Sequence, residues 1–229
     1  MYIVNHFKKK SNIQILKFLS LFLLLNSLIL GIVYFLKTIN IDLSSIAQYQ
    51  KNIIFIYIQI FVFIIPLKLL KVKKEDLQLK SIKLLKTLIV CLKGYLMFIG
   101  INVVISLTNL NQIIPGLQTQ ENLIPELAKT NLELTIIGIA ICLVAPIVEE
   151  IVFRGYIYSQ FKKNYSIIQS SILTSIIFSA LHFQFQVFTA MLILSLIIHY
   201  VREKSHSTCG AIIFHVINNT ITFFVLISL

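Results

Sequence analysis

The residues of this chain that could do chemistry gather in its C-terminal half. They are Glu149-Glu150-Ile151-Val152-Phe153-Arg154, then Phe178-Ser179-Ala180-Leu181-His182, then His215-Val216-Ile217-Asn218-Asn219. Glu150 and Arg154 stand four positions apart, as do His215 and Asn219, a spacing that puts two side chains on one helix face. All lie in or beside apolar runs, where an ionisable side chain is costly and is a functional candidate by default. Arg cannot act as a base, and a buried guanidinium needs a carboxylate, so Glu150 with Arg154 is expected to be a structural ion pair. Glu149 has no cation at helical spacing and is left free for proton chemistry. A Glu, two His and an Asn can hold and deprotonate a water and donate to the oxyanion that forms. That is peptide-bond hydrolysis without a Ser or Cys nucleophile. Glu149, His182 and His215 could instead hold a divalent metal such as zinc, although no H-E-x-x-H motif is present. Buried Glu and His also serve proton and ion transport, and a lone His in a membrane often only hydrogen-bonds a neighbouring helix. Spacing alone does not separate a hydrolase from a carrier. His6, His199 and His206 fall at span ends or in loops and are assigned no role.

The elements that must position these residues are membrane helices. The chain has 229 residues, 57% of them hydrophobic and only 13% charged, with a mean hydropathy of +0.88. Soluble domains are less apolar and about twice as charged, and such hydrophobicity also excludes disorder. The expected fold is all-α, a polytopic bundle of about seven spans, each needing about 20 apolar residues. The expected spans are 13–36, 53–70 with Pro66 near its end, 84–107, 134–161, 166–183, about 185–201, and 208–229. The first is too long for a signal peptide and has no small-residue cleavage site. The fourth is expected to be one long, kinked or broken helix. Its Pro146 removes a backbone hydrogen bond and frees a carbonyl near Cys142, just before Glu149. That irregularity fits a simple kink equally well as the lining of a water-filled cavity. Between the third and fourth spans a polar stretch carries Pro115-Gly116 and Pro125 as turn signals.

The net charge of +11 does not point to nucleic acid. The lysines form short clusters between apolar runs, as in Lys8-Lys9-Lys10 and Lys71-Val72-Lys73-Lys74, and do not interleave with aromatics along a binding face. Such clusters set topology and meet anionic lipid headgroups. With the N-terminus inside, Lys8–Lys10, Lys17, the lysines from Lys68 to Lys86, Lys162, Lys163, Arg202 and Lys204 fall on the cytoplasmic side. Lys37, Lys51 and Lys129 fall outside, accompanied by Glu121, Glu126 and Glu133. Lys93 and Arg154 stay within spans. In this topology Glu149 lies roughly 20 Å deep, His182 roughly 24 Å, and His215 and Asn219 roughly 13 and 20 Å, at about 1.5 Å per residue. Groups from three helices thus come to similar depth, and a shared site is the economical explanation. Cys91, Cys142 and Cys209 fit no disulfide or metal spacing and are expected to be small buried hydrophobes.

The order Glu-Glu-x-x-x-Arg, Phe-x-x-x-His, His-x-x-x-Asn, each on its own helix, resembles the CPBP family of intramembrane proteases. That family includes the type II CAAX prenyl endopeptidases and bacterial relatives linked to bacteriocin processing and self-immunity. The resemblance runs from about Leu134 to the C-terminus, dividing the chain into N-terminal spans, 1–130, and a catalytic core, 131–229. It implies Glu149 as the base that activates water, His182 as a residue that helps to hold that water, and His215 and Asn219 as oxyanion donors. Glu150 and Arg154 would brace the site. Asn218 stands beside Asn219, and the spacing from His215 favours Asn219. Phe178 is expected to be packing. Metal involvement stays open, with Glu149, His182 and His215 as its ligands if a metal takes part. The expected function is an intramembrane endopeptidase acting on a membrane-associated peptide or protein, in a bacterial cell membrane, with the lipid bilayer as its other partner and no nucleic acid. The alternatives are a non-catalytic membrane partner of a sensor kinase or transporter, and an ion or proton carrier.

Overall fold

The computed structural model describes residues 2–39, 48–117 and 128–228. The turn signal at Pro125 and the outside charges Glu121 and Glu126 lie outside these residues, as do the side chains of His6, Lys8–Lys10 and Lys37. Seven main helices follow one another, and no strand occurs among the described residues. They are α1 (Tyr2–Thr38), α2 (Gln48–Leu69), α3 (Leu84–Leu107), α4 (Asn131–Phe161), α5 (Ile167–Ala180), α6 (Phe188–Ser205) and α7 (Thr208–Ser228). Among the described residues five stretches are long and apolar enough to cross a membrane, in α1, α3, α4, α6 with its leading turn, and α7. Shorter apolar stretches, Ile56–Leu69 and Ile167–Ala180, lie in α2 and α5. The all-α polytopic fold expected from hydropathy is the fold observed.

Local sequence chemistry sets several helix ends. Thr130 and Glu133 form a capping box at the start of α4, with the Glu133 N–H donating to Thr130 Oγ1 at 3.3 Å and Glu133 Oε2 accepting from the Thr130 N–H at 3.0 Å. Ser166 and Gln169 do the same for α5. The Pro115-Gly116 turn sits against the start of α6, where Thr189 Oγ1 donates to Pro115 O at 2.7 Å and the Ala190 N–H donates to Gly116 O at 3.0 Å.

Two apolar clusters hold the bundle. In one, Phe18 and Phe22 of α1 pack with Val62 of α2, Phe153 and Ile157 of α4, and Phe178 of α5. In the other, Cys91 of α3 packs with Ile198 and Val201 of α6 and with Ala211 and Phe214 of α7. Gly94 lets α3 come this close, because a Cβ there would lie 2.9 Å from Val201 and 3.1 Å from Phe214. Outside the clusters, leucines such as Leu16, Leu24, Leu85, Leu96 and Leu107 are exposed. So much exposed apolar surface suits a lipid environment rather than water. Glu150 and Arg154 of α4, Ser175 of α5, Ser195 of α6 and His215 of α7 are buried polar side chains.

α4 is continuous but not uniformly α-helical. Ala140–Val144 and Ile151–Ile157 are π-helical, and between them Ala145–Glu150 returns to the α form. Pro146 stands just after the first π stretch. In i→i+5 register the N–H it lacks would have met Ile141 O, so a carbonyl is freed at Ile141, next to Cys142, where one was expected. α6 also differs from expectation. It runs on to Ser205 after a single turn at Phe185–Val187, so His199 lies well inside it.

Candidate active site

Glu149 and Glu150 occupy the last turn of the α segment between the two π stretches, and the surroundings of these neighbours are opposite. Glu150 is fully buried. Its Oε1 accepts from Arg154 Nη1 at 3.0 Å and from His215 Nδ1 at 2.7 Å. Arg154, also fully buried, turns Nη2 to α6, donating to Ser195 Oγ at 2.8 Å and Ser195 O at 3.1 Å. Ser195 Oγ donates in turn to Ser175 Oγ of α5 at 2.9 Å. One chain of contacts therefore links α7, α4, α6 and α5. The sequence anticipated the Glu150–Arg154 pair, but not that His215 and Ser195 complete it.

Glu149 is half-buried and faces a cavity of about 650 Å³. His182, His215, Asn218 and Asn219 line the same cavity. His215 Nε2 lies 3.9 Å from Glu149 Oε2, too far for a direct hydrogen bond but close enough for both to touch one oxygen between them. His182 donates its Nδ1–H to Phe178 O at 2.7 Å, one turn back along the chain. That fixes its tautomer when neutral and leaves Nε2 as an acceptor. The Phe178 ring is more than filler. It stands 4.5 Å from the His182 ring and 6.3 Å from the His215 ring, centroid to centroid, and Arg154 Cζ lies 4.7 Å from its centre.

Asn219 is anchored by the irregularity in α4. Its Nδ2 donates to Ile141 O at 3.1 Å, the carbonyl that Pro146 leaves free, and its own backbone O lies 3.8 Å from Cys142 Sγ. The second N–H of its amide remains for another acceptor. Asn218 is the more buried of the pair and also reaches the cavity, with its Nδ2 3.4 Å from Asn219 Oδ1. Both asparagines thus stand at the cavity wall, where the spacing from His215 favoured Asn219.

The N-terminal spans contribute the opposite wall. Ile60 and Phe63 of α2 and Phe98 and Ile101 of α3 line the cavity, with Gln59 and Asn102 as polar exceptions. His199 was not expected in the interior. It is 1% exposed and its ring sits tilted against that of Tyr158 of α4, 4.6 Å between centroids, while Arg202 Cζ lies 4.9 Å from the centre of the same Tyr158 ring. His206 is, as expected, in the turn between α6 and α7.

Among the described residues no group of three or more His, Cys, Asp or Glu side chains is placed to hold a metal ion. Glu149, His182 and His215 share the cavity without forming such a ligand set, with His215 committed to Glu150 through Nδ1; His182, expected within the span 166–183, sits instead in the turn after α5 and bonds back to Phe178 of that helix. Cys91, Cys142 and Cys209 are free, Cys91 buried and the other two half-buried.

Residues 131–221 match the family model described as type II CAAX prenyl endopeptidase Rce1-like. No curated protein and no solved structure matches the chain. The matched segment runs from the first residue of α4 into α7 and includes Glu149, Glu150, Arg154, Phe178, His182, His215 and Asn219. This segment of an integral membrane chain is thus similar to the Rce1-like type II CAAX prenyl endopeptidases, a likeness consistent with the CPBP family of intramembrane proteases.

Proposed function

We propose that the chain hydrolyses a peptide bond in a membrane-associated peptide or protein, with Glu149 as general base. The observation that carries this is the convergence of Glu149 of α4, His182 of the turn that follows α5, and His215 and Asn219 of α7 on one cavity within the family-matched segment. Glu149 takes a proton from a water held against His182 Nε2, and the water oxygen bonds to the carbonyl carbon. The carbonyl oxygen, now an oxyanion, accepts from His215 Nε2–H and from the second N–H of Asn219. For that donation His215 carries a proton on both nitrogens, and the Glu150 carboxylate balances its charge. As the tetrahedral species collapses, the C–N bond breaks and Glu149 returns its proton to the departing amine. Arg154 holds Glu150 in place rather than meeting the substrate.

The apolar wall from α2 and α3 suits a hydrophobic segment entering from the bilayer. With the N-terminus cytoplasmic, the cut falls near the cytoplasmic side. A bacterial setting in secreted-peptide processing or bacteriocin self-immunity fits the lysine- and isoleucine-rich composition better than prenylated substrates do.

The test compares purified wild type, Glu149→Gln and His182→Ala in liposomes against a panel of membrane-anchored peptides, with and without a chelator. Cleavage by wild type and its loss in both variants is the expected result, and the chelator lane reads metal dependence. Undiminished cleavage by Glu149→Gln overturns the mechanism. Flux of ions without cleavage, or a cellular role that survives Glu149→Gln, points to a carrier or a binding partner instead.

A further inference from the structure

The cavity that Glu149 faces is built from one end of the bundle. Its lining stops at Phe63 on α2 and resumes at Phe98 on α3; it stops again at Glu149 and at Leu194, and resumes at Phe178 and at His215. The stretches passed over are 64–97, 150–177 and 195–214. They carry Lys68 to Lys86, Lys162 with Lys163, and Arg202 with Lys204. The cavity therefore belongs to the end away from these cations. On α3, Phe98 stands roughly 21 Å along the helix from Leu84, and Ile105 lies further still.

Toward the lysine-rich end the packing is closed. Val152, Phe153 and Ile157 of α4 and Ile198 and Val201 of α6 are completely buried. The contacts from Glu150 through Arg154 to Ser195 cross the same region. A peptide cannot pass a closely packed interior without parting the helices. Toward the other end the walls separate. α2 packs on α1 and α4, and α3 on α6 and α7, so α2 and α3 face each other across the cavity. Asn102 of α3 is exposed and also lines the cavity, which brings the cavity to the surface of the bundle there. Leu117, fixed beside α6 by the bond from the Ala190 N–H to Gly116 O, and Gln184, in the turn before α6, line it at the same end.

The lining also selects by charge. Among the described residues Glu149 is the only Lys, Arg, Asp or Glu on it. The amides of Gln59, Asn102 and Gln184 are neutral, each both donor and acceptor, and suit the N–H and C=O groups of an extended peptide. A substrate carboxylate, on a side chain or at a chain end, meets the charge of Glu149 and finds no Lys or Arg; His215 is already paired with Glu150. A substrate ammonium would pair with Glu149 and take the base from its water.

We propose that the substrate is an uncharged, apolar internal stretch of a peptide, and that it reaches the cavity from the lysine-poor, outer side of the membrane. The inference rests on reading this cavity as the site of hydrolysis. Glu149 stands nearer the lysine-side end of α4, so the cut falls in the cytoplasmic half although the approach comes from the outer one.

The experiment uses full-length protein with Cys142→Ala and Cys209→Ala, which remove the half-buried thiols and leave buried Cys91. Gln184→Cys or Lys73→Cys is added, and spheroplasts are treated with a membrane-impermeant maleimide before and after lysis. Gln184→Cys is expected to label before lysis and Lys73→Cys only after it. Labelling of Gln184→Cys only after lysis, or of Lys73→Cys before it, overturns entry from the outer side. The Gln184→Cys protein, with Glu149→Gln added so that nothing is cut, is then placed in nanodiscs with a leucine- and valine-rich peptide blocked at both ends. Three comparators carry a central Asp, a central Lys or a free C-terminal carboxylate close to the apolar stretch. At equal loading of peptide in the disc, the blocked uncharged peptide is expected to slow labelling, and the comparators to protect about tenfold less well or worse. Equal protection by all four, or by none, overturns the substrate class. Protection as expected, in a chain whose Glu149 form cleaves no peptide, fails the hydrolysis reading and leaves the entry route in place.

Discussion

His215 donates its Nδ1–H to Glu150 Oε1 at 2.7 Å, on the same oxygen that accepts from Arg154 at 3.0 Å. The imidazole of α7 is thereby fixed to α4, and its free nitrogen is turned toward Glu149. Two adjacent carboxylates consequently take different tasks, one inside the packing and one on the cavity.

That division predicts opposite behaviour for two equivalent substitutions. Glu150→Gln leaves the Arg154 guanidinium buried without its counter-charge, and breaking such a pair costs about 3–5 kcal/mol. Glu149→Gln removes no buried ion pair and is expected to melt with the wild type while cleaving about 10²- to 10⁴-fold more slowly. Thermal unfolding in detergent, run beside the cleavage assay, reads both. A Glu150→Gln protein as stable as wild type contradicts the bracing role.

Pro146 is expected to matter through Asn219. In Pro146→Ala a backbone N–H returns and competes for the carbonyls of the first π stretch, including Ile141 O, which Asn219 now occupies. The helix itself gains, because proline is the poorest residue for a helix interior. The expected outcome is unchanged or higher stability with cleavage reduced about ten- to a hundredfold, as a displaced oxyanion donor implies. Reduced stability in proportion to reduced activity would show that Pro146 acts only through the fold.

Phe178 touches both the His182 ring and the Arg154 guanidinium. Phe178→Leu keeps an apolar residue but loses the flat face that both partners use. Cleavage is expected to fall, because the residue sets the position of His182. An equal loss in Phe178→Leu and Phe178→Tyr, the latter retaining the ring, would leave volume rather than the ring face as the operative property.

The sequence exposed those parts of this structure that are written in composition and in spacing along one helix. Long apolar runs marked α1, α3, α4, α6 and α7, and the i,i+4 spacing of Glu150 and Arg154 marked their pair. What stayed hidden depends on partners from other helices. Pro146 announced an irregularity in α4, but not that Asn219 of α7 would take the Ile141 carbonyl that the proline leaves free beside the first π stretch. His199 looked like a span end because Arg202, Glu203 and Lys204 follow it. It is buried because Tyr158 of α4 covers its ring and Lys162 reaches over to neutralise Glu203. The place of α2 and α3 on the cavity was also illegible, as an apolar side chain does not reveal which neighbour it faces.

Gly155 and Gly31 give a final contrast, because both lie within helices and only one is crowded. A Cβ on Gly155 would lie 3.0 Å from Leu77 O, a backbone atom of the turn at Lys74–Leu77. That turn cannot yield by a side-chain rotation, and Thr208 Oγ1 already uses the same carbonyl oxygen at 2.8 Å. Gly155→Ala is therefore expected to destabilise by about 1–3 kcal/mol, the usual range for overpacking. It also pushes apart α4 and the segment that holds the turn between α6 and α7. A Cβ on Gly31 meets nothing within 4 Å. There the helix propensity of alanine acts alone, and in the water-based scale it is worth about 1 kcal/mol over glycine. Gly31→Ala is expected to be neutral to stabilising, and Gly155→Ala to lower the unfolding temperature in the same buffer. If the two alanine variants unfold together, the close approach of Leu77 to α4 is not a constraint on the folded chain.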